Sequence, residues 1–538
     1  MSSYKASKEA FVSDAVGSTV LHVNSVSCVA LASIFLHSAI QSRFVLFPSP
    51  TSLSVASLSL LQLWVEFCLL VLPLLLSMTL FANYPIHLCI MLLAPTALLL
   101  TTRSAPPPRD PLLPPPTPPP VRSRSSSPTP IPGRSPEGPF ALVTSISTPV
   151  DLGNGEPADL PIVSLMTGSV PYITTYRSHM MLMTILAILA VDFPVFPRSL
   201  MKCESFGVSL MDLGVGSFVF SQGLVSAIPV LKNPRSLEAP LLPKIAQVCR
   251  KVIPLFALGL VRVVLEHVTE YGVHWNFFIT MAILPPLFVL LHPMILKMPI
   301  SLLGMIITIC KFTFDPDWAL GNSREGLISQ NKEGIVSVPG YLAIHVLGFL
   351  TGTLLLPPSP SMFRRYYRED GSTARPRNHA KRQPAKAAIE LISYSSVWWI
   401  LFSLMSFWGG GSGSPVSRRL ANLPYVLWIA AFNTSDAICV PRTRDREYGG
   451  HPSCWKPLIS MGLPLFLLAN AMTGLVNLAS STMYASDVVA MSVLLGYSEV
   501  VCMVAWACRG TRIVANMKME GRALVGYYRA IFNSKSWF

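Results

Sequence analysis

The sequence predicts an all-α polytopic membrane protein. Of its 538 residues, 51% are hydrophobic and only 13% are charged, and the mean hydropathy is +0.50. An apolar stretch of about 20 residues crosses a bilayer as a helix, because in lipid every backbone N–H and C=O must find its partner within the segment. A chain with this composition and many such stretches is typical of multi-pass membrane proteins.

Apolar windows of this length predict about thirteen transmembrane helices. They lie roughly at 20–40, 59–80, 84–102, 178–193, 208–230, 245–264, 273–291, 294–312, 336–357, 390–408, 420–434, 458–478 and 486–508. The eleventh window is short and the eighth contains Lys297, so the count depends most on these two. The spans divide the chain into N-terminal helices (1–102), a central transmembrane core (178–357) and C-terminal helices (390–508), with connections at 103–177 and 358–389 and a tail at 509–538.

Two polar connections interrupt the membrane domain. The segment Ser104–Gly138, within 103–177, is dominated by proline, serine and arginine, a composition that cannot bury a core and favours an extended, solvated spacer. The connection 358–389 is rich in arginine and lysine, which predicts a cytosolic loop attracted to anionic headgroups.

The positive charge of the chain indicates topology rather than nucleic-acid binding. Lysine and arginine number 41 against 27 aspartate and glutamate, but they cluster on alternate connections. Basic residues concentrate on cytosolic loops of membrane proteins. The pattern therefore predicts a lumenal N-terminus, a cytosolic C-terminus, and cytosolic positions for 103–177 and 358–389.

The cysteines and histidines do not predict a metal site or a bound cofactor. The ten cysteines are scattered, without a CxxC pair. His267 and His274 bracket Glu270, but the local sequence offers no third ligand of the kind that zinc requires.

The run AVDFPVFPRSLMKCESFGVSLMDLGVGSFVFS (residues 190–221) is the first candidate site. It places five ionisable residues between two apolar segments. Ionisable groups in or near the membrane cost free energy, and those that are present are usually functional. The five are Asp192, Arg198, Lys202, Glu204 and Asp212. The prolines and glycine of the connection predict a broken helix, which is tolerated where the backbone lines a cavity.

Two interpretations of Asp192 and Lys202 stay open from the residues themselves. Their side chains either converge at the mouth of a cavity as a reactive pair or form a buried salt bridge that fixes the hairpin. The small residues of 207–227 predict close helix packing in the segment that follows.

The run EHVTEYGVHWN (residues 266–276) is a second polar segment between two spans. His267 and His274 are suited to hydrogen bonding with a polyhydroxyl headgroup. The alternative is an interfacial aromatic belt formed by Tyr271 and Trp275.

These two runs, together with several further stretches in the same order, resemble the GPI-anchor inositol acyltransferase family, which includes fungal wall transfer proteins and mammalian PIG-W. Residues 4–12, 331–348, 420–434 and 468–483 carry the remaining similarity, as YKASKEAFV, NKEGIVSVPGYLAIHVLG, LANLPYVLWIAAFNT and LANAMTGLVNLASSTM. Within the first run, Ser199 stands where the family has a second basic residue and Met201 where it has a small one.

The resemblance implies an enzyme of the endoplasmic reticulum membrane that transfers a long-chain acyl group, typically palmitoyl, from acyl-CoA to the inositol ring of glucosaminyl-phosphatidylinositol. Such a reaction needs a base for an inositol hydroxyl, a group that stabilises the oxyanion, and exclusion of water. On this hypothesis Asp192 is the base and Lys202 the cation that faces the oxyanion or CoA. The residues expected to bind substrate are Arg177, Arg198, Glu204, Asp212, His267, His274 and Asn331.

Two other functions fit the same composition. A multi-pass transporter of lipid or small solutes would also carry intramembrane Asp and Lys residues, although the sequence shows no inverted repeat of the transporter type. A non-catalytic subunit of a glycolipid transferase complex would use the same charges as docking contacts. An assay for acyl transfer distinguishes an enzyme from these two alternatives, because neither a transporter nor a non-catalytic subunit would acylate the lipid.

Overall fold

The computed structural model confirms the all-α class, since its regular elements are helices in the part of the chain that it describes. That part comprises residues 7–43 (without 9, 12, 14 and 16), 55–101, 171–265, 271–310, 321, 325–357, 359–361, 363, 383–408, 415–439 and 461–508. Most of segment 103–177, positions 364–382 of the basic connection, the tail at 509–538 and His267 lie outside it. The domain boundaries drawn from the sequence stay predictions.

The first half of the described chain forms seven α-helices. They are α1 (Val20–Arg43), α2 (Val55–Glu66), α3 (Leu72–Met78), α4 (Pro85–Thr101), α5 (Pro171–Ala190), α6 (Leu210–Lys232) and α7 (Leu241–Leu265). A π-helical turn, Phe67–Val71, joins α2 to α3.

The second half continues in the same manner. Its helices are α8 (Phe277–Leu290), α9 (His292–Lys297), α10 (Ile300–Cys310), α11 (Gly326–Gln330), α12 (Lys332–Leu355), α13 (Pro384–Trp408), α14 (Leu423–Cys439), α15 (Gly462–Ala479) and α16 (Asp487–Ala507).

Helices occupy every window that the hydropathy pattern selects, but the number of crossings is not confirmed as thirteen. Within the described residues, 8 helices are long and apolar enough to cross a membrane. Three further apolar helices, α4, α8 and α10, are shorter than that criterion. The multi-pass character of the chain is therefore established, and the exact count stays a prediction.

Helix α12 begins earlier than its apolar window, which starts at residue 336. Its first residues, Lys332 and Glu333, are charged and fully buried. Lys332 Nζ donates to the carbonyl oxygen of Gly321 at 2.6 Å, and Arg419 donates to Glu333 Oε1 at 3.1 Å. These contacts compensate the two buried charges, which without partners would make burial of the first turn unfavourable.

Helices α6 and α12 form the most extensive helix pair of the structure. A Cβ at Gly223 of α6 would collide with the backbone carbonyl of His345, and one at Gly348 or Gly352 of α12 would collide with the carbonyls of Phe220 or Leu224. Glycine permits this approach because it has no side chain. The close packing predicted for residues 207–227 is confirmed, and it holds the part of α6 around residues 220–224 against α12.

Candidate functional site

The candidate site is built around the loop of residues 191–209, which joins α5 to α6. The helix ends at Ala190, and Pro197 has an extended backbone conformation before the single 3₁₀ turn Arg198–Leu200. Since proline removes a donor and fixes φ, the two prolines of the segment prevent a continuous helix. The predicted break between the two spans is therefore present.

Asp192 lies at the start of this loop in a small polar cluster. Its Oδ1 atom is 3.2 Å from Nζ of Lys8, and its Oδ2 atom accepts a hydrogen bond of 2.8 Å from Nδ2 of Asn477. Lys8 also donates to Oδ1 of Asn477 at 2.8 Å. The side chains of Lys8 and Asp192 are 21% and 12% exposed. The carboxylate is thus held in a fixed orientation at a mostly buried position.

Lys202 and Glu204 have exposed side chains on the same loop, on either side of the buried Cys203. The ion-pair partner of Asp192 is Lys8 and not Lys202, so the proposed salt bridge between Asp192 and Lys202 does not describe this structure. Lys202 is exposed on the loop.

Arg198 holds the first half of the loop together. Its Nη2 atom donates to the backbone carbonyls of Val191, Phe193 and Phe196 at 3.0, 2.9 and 3.1 Å. Its guanidinium lies 3.9 Å from the ring centroid of Phe11. Burial lowers the pKa of this guanidinium from its ordinary value, while the nearby negative charge of Asp192 acts in the opposite direction.

The N-terminal segment runs along the loop. Ser18 donates its backbone N–H to the carbonyl of Val208 at 2.7 Å, in an isolated antiparallel bridge. Gly17 has a φ of +85°, and a Cβ there would lie 2.6 Å from Sγ of Cys203. A left-handed backbone at such close range requires glycine. The segment before α1 therefore forms one wall of the site.

The segment that precedes α14 packs against the second half of the loop. Gly207 donates its N–H to the carbonyl of Val416 at 2.8 Å, and Ser417 Oγ donates to the carbonyl of Ser205 at 2.6 Å. The loop is consequently held between the N-terminal segment and residues 415–422.

Asp212 and Arg418 form a buried ion pair beneath the loop. Nε of Arg418 lies 2.5 Å from Oδ1 of Asp212, and the two side chains are 2% and 0% exposed. Arg418 also donates to the hydroxyl of Tyr271, which lies 3.1 Å from the hydroxyl of Tyr341. The charges are thus accompanied by further hydrogen bonds, as buried ion pairs require.

The second polar segment meets the first through Tyr271. This tyrosine is buried, so it does not belong to an interfacial belt. His274 is exposed, and its backbone N–H donates to Oδ1 of Asn331 at 2.9 Å. Asn331 thus contacts the backbone of the second polar segment.

Two further residues predicted to bind substrate lie elsewhere. Arg177 is half-buried on α5. His267 lies outside the described residues.

Several residues of the site cannot be identified from a single sequence motif. Lys8 and Asn477 contact Asp192 from the two ends of the chain, and Arg418 contacts Asp212 across 206 residues of sequence. Lys8 and Asn477 lie inside stretches that carry the family resemblance, which was the only signal for them. Within the described residues, no group of three His, Cys, Asp or Glu side chains is arranged to hold a metal ion.

The fold and this loop define a multi-pass α-helical membrane protein with a polar site built from a broken connection between two spans. The chain belongs to the GWT1 family, whose family model matches residues 4–508. The resemblance stated from the sequence is thereby confirmed.

Curated relatives extend over most of the chain. A GPI-anchored wall transfer protein 1 from Aspergillus fumigatus is 37% identical over 545 aligned positions, which cover 95% of this chain and 98% of the relative. The protein of the same name from Gibberella zeae is 36% identical and covers 94% of this chain and 97% of its own length. A third, from Cryptococcus neoformans, is 39% identical over 64% of this chain and 63% of its own.

Proposed function

We propose that this protein acts in GPI-anchor biosynthesis as an acyl-CoA-dependent O-acyltransferase of the endoplasmic reticulum membrane. The acceptor is the inositol ring of glucosaminyl-phosphatidylinositol, and the acyl group is a long chain such as palmitoyl. Membership of the GWT1 family and the names of the relatives support the pathway. The observation that supports the chemistry is the Asp192 carboxylate, which is held by Lys8 and Asn477 and has 12% of its side chain exposed.

In this reaction the oxygen of an inositol hydroxyl attacks the carbonyl carbon of the thioester. A new C–O bond forms, the C–S bond breaks, and the hydroxyl proton leaves with the CoA thiol. Asp192 accepts that proton during the attack and returns it to the leaving sulfur, which is general base and then general acid catalysis. Lys8 and Asn477 orient the carboxylate and lower the cost of positioning it.

Lys202 supplies positive charge for the oxyanion that develops at the thioester carbonyl, or for the phosphates of CoA. Its exposed side chain lies ten residues after the base, in a loop whose backbone is held on both sides. Glu204, Arg177, His274 and His267 are the proposed contacts to the sugar headgroup and lipid phosphate. Arginine suits phosphate because its planar fork binds two oxygens.

The proposed orientation keeps the N-terminus in the lumen, so the loop of residues 191–209 faces the lumenal side. Acyl-CoA is then a substrate that reaches the site through the helix bundle or from the lumen. Both substrates are lipids with charged headgroups, which fits a site that lies between apolar helices and a polar loop.

Purified protein in liposomes, supplied with palmitoyl-CoA and glucosaminyl-phosphatidylinositol, tests the proposal. Mass spectrometry of the lipid is expected to show addition of one acyl group and release of free CoA thiol. Absence of acylation by folded protein overturns the enzymatic assignment. Transport of a labelled lipid across the bilayer without acylation would instead favour a transporter, and acylation only after a second polypeptide is added would favour a subunit role.

A further inference from the structure

Both polar groups of a single loop residue, Cys203, are bound by the two partners of one ion pair. The N–H of Cys203 donates to Oδ2 of Asp212 at 3.2 Å, and its carbonyl accepts from Nη2 of Arg418 at 3.2 Å. The remaining oxygen of Asp212 and the Nε atom of Arg418 join the two partners at 2.5 Å. The four groups close a ring around the backbone of Cys203.

The ion pair is itself held on the rigid part of the fold. Asp212 lies in the first turn of α6, where its N–H donates to Oγ of Ser209 at 3.1 Å and its carbonyl accepts from the hydroxyl of Tyr425 at 2.8 Å. The carbonyl of Arg418 accepts from the hydroxyl of Tyr341 at 3.1 Å. The backbones of both residues are therefore anchored, that of Asp212 by Ser209 and Tyr425 and that of Arg418 by Tyr341.

A buried ion pair is a poor source of stability, because the cost of removing two charges from water is comparable with their attraction. It does define the orientation of what it binds, because a carboxylate and a guanidinium form hydrogen bonds to a peptide group in defined directions. At Cys203 the geometry matters, since the residues on either side, Lys202 and Glu204, are the exposed charges of the loop.

We propose that Asp212 and Arg418 are positioning residues that fix Lys202 in the reactive arrangement by binding the backbone of Cys203. This inference rests on the proposed function, in which Lys202 is the catalytic cation. It assigns to Asp212 a role in loop geometry rather than in substrate binding. It also adds Arg418, which no motif in the sequence marks, to the residues on which the reaction depends.

Arg418→Lys is the variant that tests this role. Lysine keeps the charge opposite Asp212 but lacks the fork that reaches Asp212 and the carbonyl of Cys203 together. Arg419→Lys is the matched control, because Arg419 is the next residue and pairs with Glu333 instead. For Arg418→Lys we expect folded protein, kcat lowered about 10- to 100-fold and KM values unchanged, as for a misplaced catalytic group. For Arg419→Lys we expect kcat within about twofold of the parent.

A double-mutant cycle with Lys202→Ala shows whether Arg418 acts through Lys202. In the Lys202→Ala background, Arg418→Lys should cause no further loss, because the group that it positions is gone. Equal losses in both backgrounds overturn the inference while leaving the proposed function intact. Full activity of Lys202→Ala alone removes the proposed role of Lys202 and the inference with it.

Hydrogen exchange of the loop gives a readout that does not depend on activity. Arg418→Lys should increase amide exchange in peptides that contain residues 199–206, while Arg419→Lys leaves it unchanged. Unchanged exchange in the folded Arg418→Lys protein overturns the inference, because the loop would then be held by other contacts.

Discussion

Lys8 and Asp192 form an ion pair, with Nζ 3.2 Å from Oδ1, between the N-terminal segment and the end of α5. Asn477 of α15 binds both partners, through its amide nitrogen to Asp192 and through its oxygen to Lys8. Three distant parts of the chain thus meet at one carboxylate. The proposed base is consequently oriented by residues far from it in sequence, and each can be changed without altering the loop itself.

Lys8→Met is expected to lower kcat about tenfold or more with little loss of folded protein. The change removes the charge that orients Asp192 but keeps the length of the side chain, and Asn477 remains to bind the carboxylate. Initial rates per folded molecule and a thermal unfolding curve provide the measurement. Lys232→Met, at the exposed end of α6, is the control. Reduced yield with an unchanged rate per folded molecule would contradict this expectation.

Asp192→Asn is expected to lower activity by a factor of about 10² or more at normal abundance. The amide keeps the size and much of the hydrogen bonding but cannot act as a base. Measuring kcat across pH with palmitoyl-CoA in excess checks the effect. Activity that stays near that of the parent would place the base at another residue.

Arg198→Ala is expected to loosen the first half of the loop. Its guanidinium binds three loop carbonyls, which the truncation leaves without their donor. We therefore expect faster amide exchange in residues 191–200 and a lower kcat. If the guanidinium instead binds the lipid phosphate, the acceptor KM rises more than kcat falls, and the exchange rates stay as they are.

Gly223→Ala is expected to destabilise the protein by about 1–3 kcal/mol, a typical cost of overpacking. The new methyl group meets the carbonyl oxygen of His345, a backbone atom that cannot move aside. Gly214→Ala on the same helix is the matched control, because nothing lies within 4 Å of its Cβ position. Melting temperatures in detergent compare the two. Equal melting temperatures would show that α6 and α12 separate at little cost.

Cys203 is expected to resist alkylation in folded membranes at pH 7.5. Burial, and then the negative charge of Asp212, raise the pKa of its thiol from 9.0 to about 12. Since the thiolate is the reactive form, labelling should stay slow at neutral pH and increase as the pH rises towards 12. Peptide mass spectrometry after iodoacetamide treatment measures it, with denatured protein as the fully labelled control. Rapid labelling of the native protein would show an open loop.

The sequence predicts the position of the site but only part of its composition. Asp192 and Asp212 can be recognised from the sequence, because charged residues between apolar spans cost free energy and are therefore candidates for a functional role. Lys8 and Arg418 are not, since a single basic residue in a polar segment has no periodicity that relates it to a distant carboxylate. The pairing of Asp192 with Lys202 follows from sequence proximity, whereas the actual partner depends on how the N-terminal segment crosses the loop.

Helix positions follow closely from hydropathy, and their ends do not. The start of α12 shows the reason, because Lys332 and Glu333 are excluded from an apolar window yet lie buried with hydrogen-bonding partners. A window average treats each charge as solvated, and only tertiary contacts reveal which charges are compensated.

The meeting of Lys8, Asp192 and Asn477 has a consequence for the order of events during synthesis. The ribosome adds about 5–20 residues per second, so the 285 residues from Asp192 to Asn477 take roughly 15 to 60 s. During that interval Asp192 is already beyond the peptidyl-transferase centre, but its amide partner does not yet exist. Premature termination before α15 would therefore yield a polypeptide in which this polar cluster is incomplete, a natural substrate for the quality-control machinery of the membrane in which it is made.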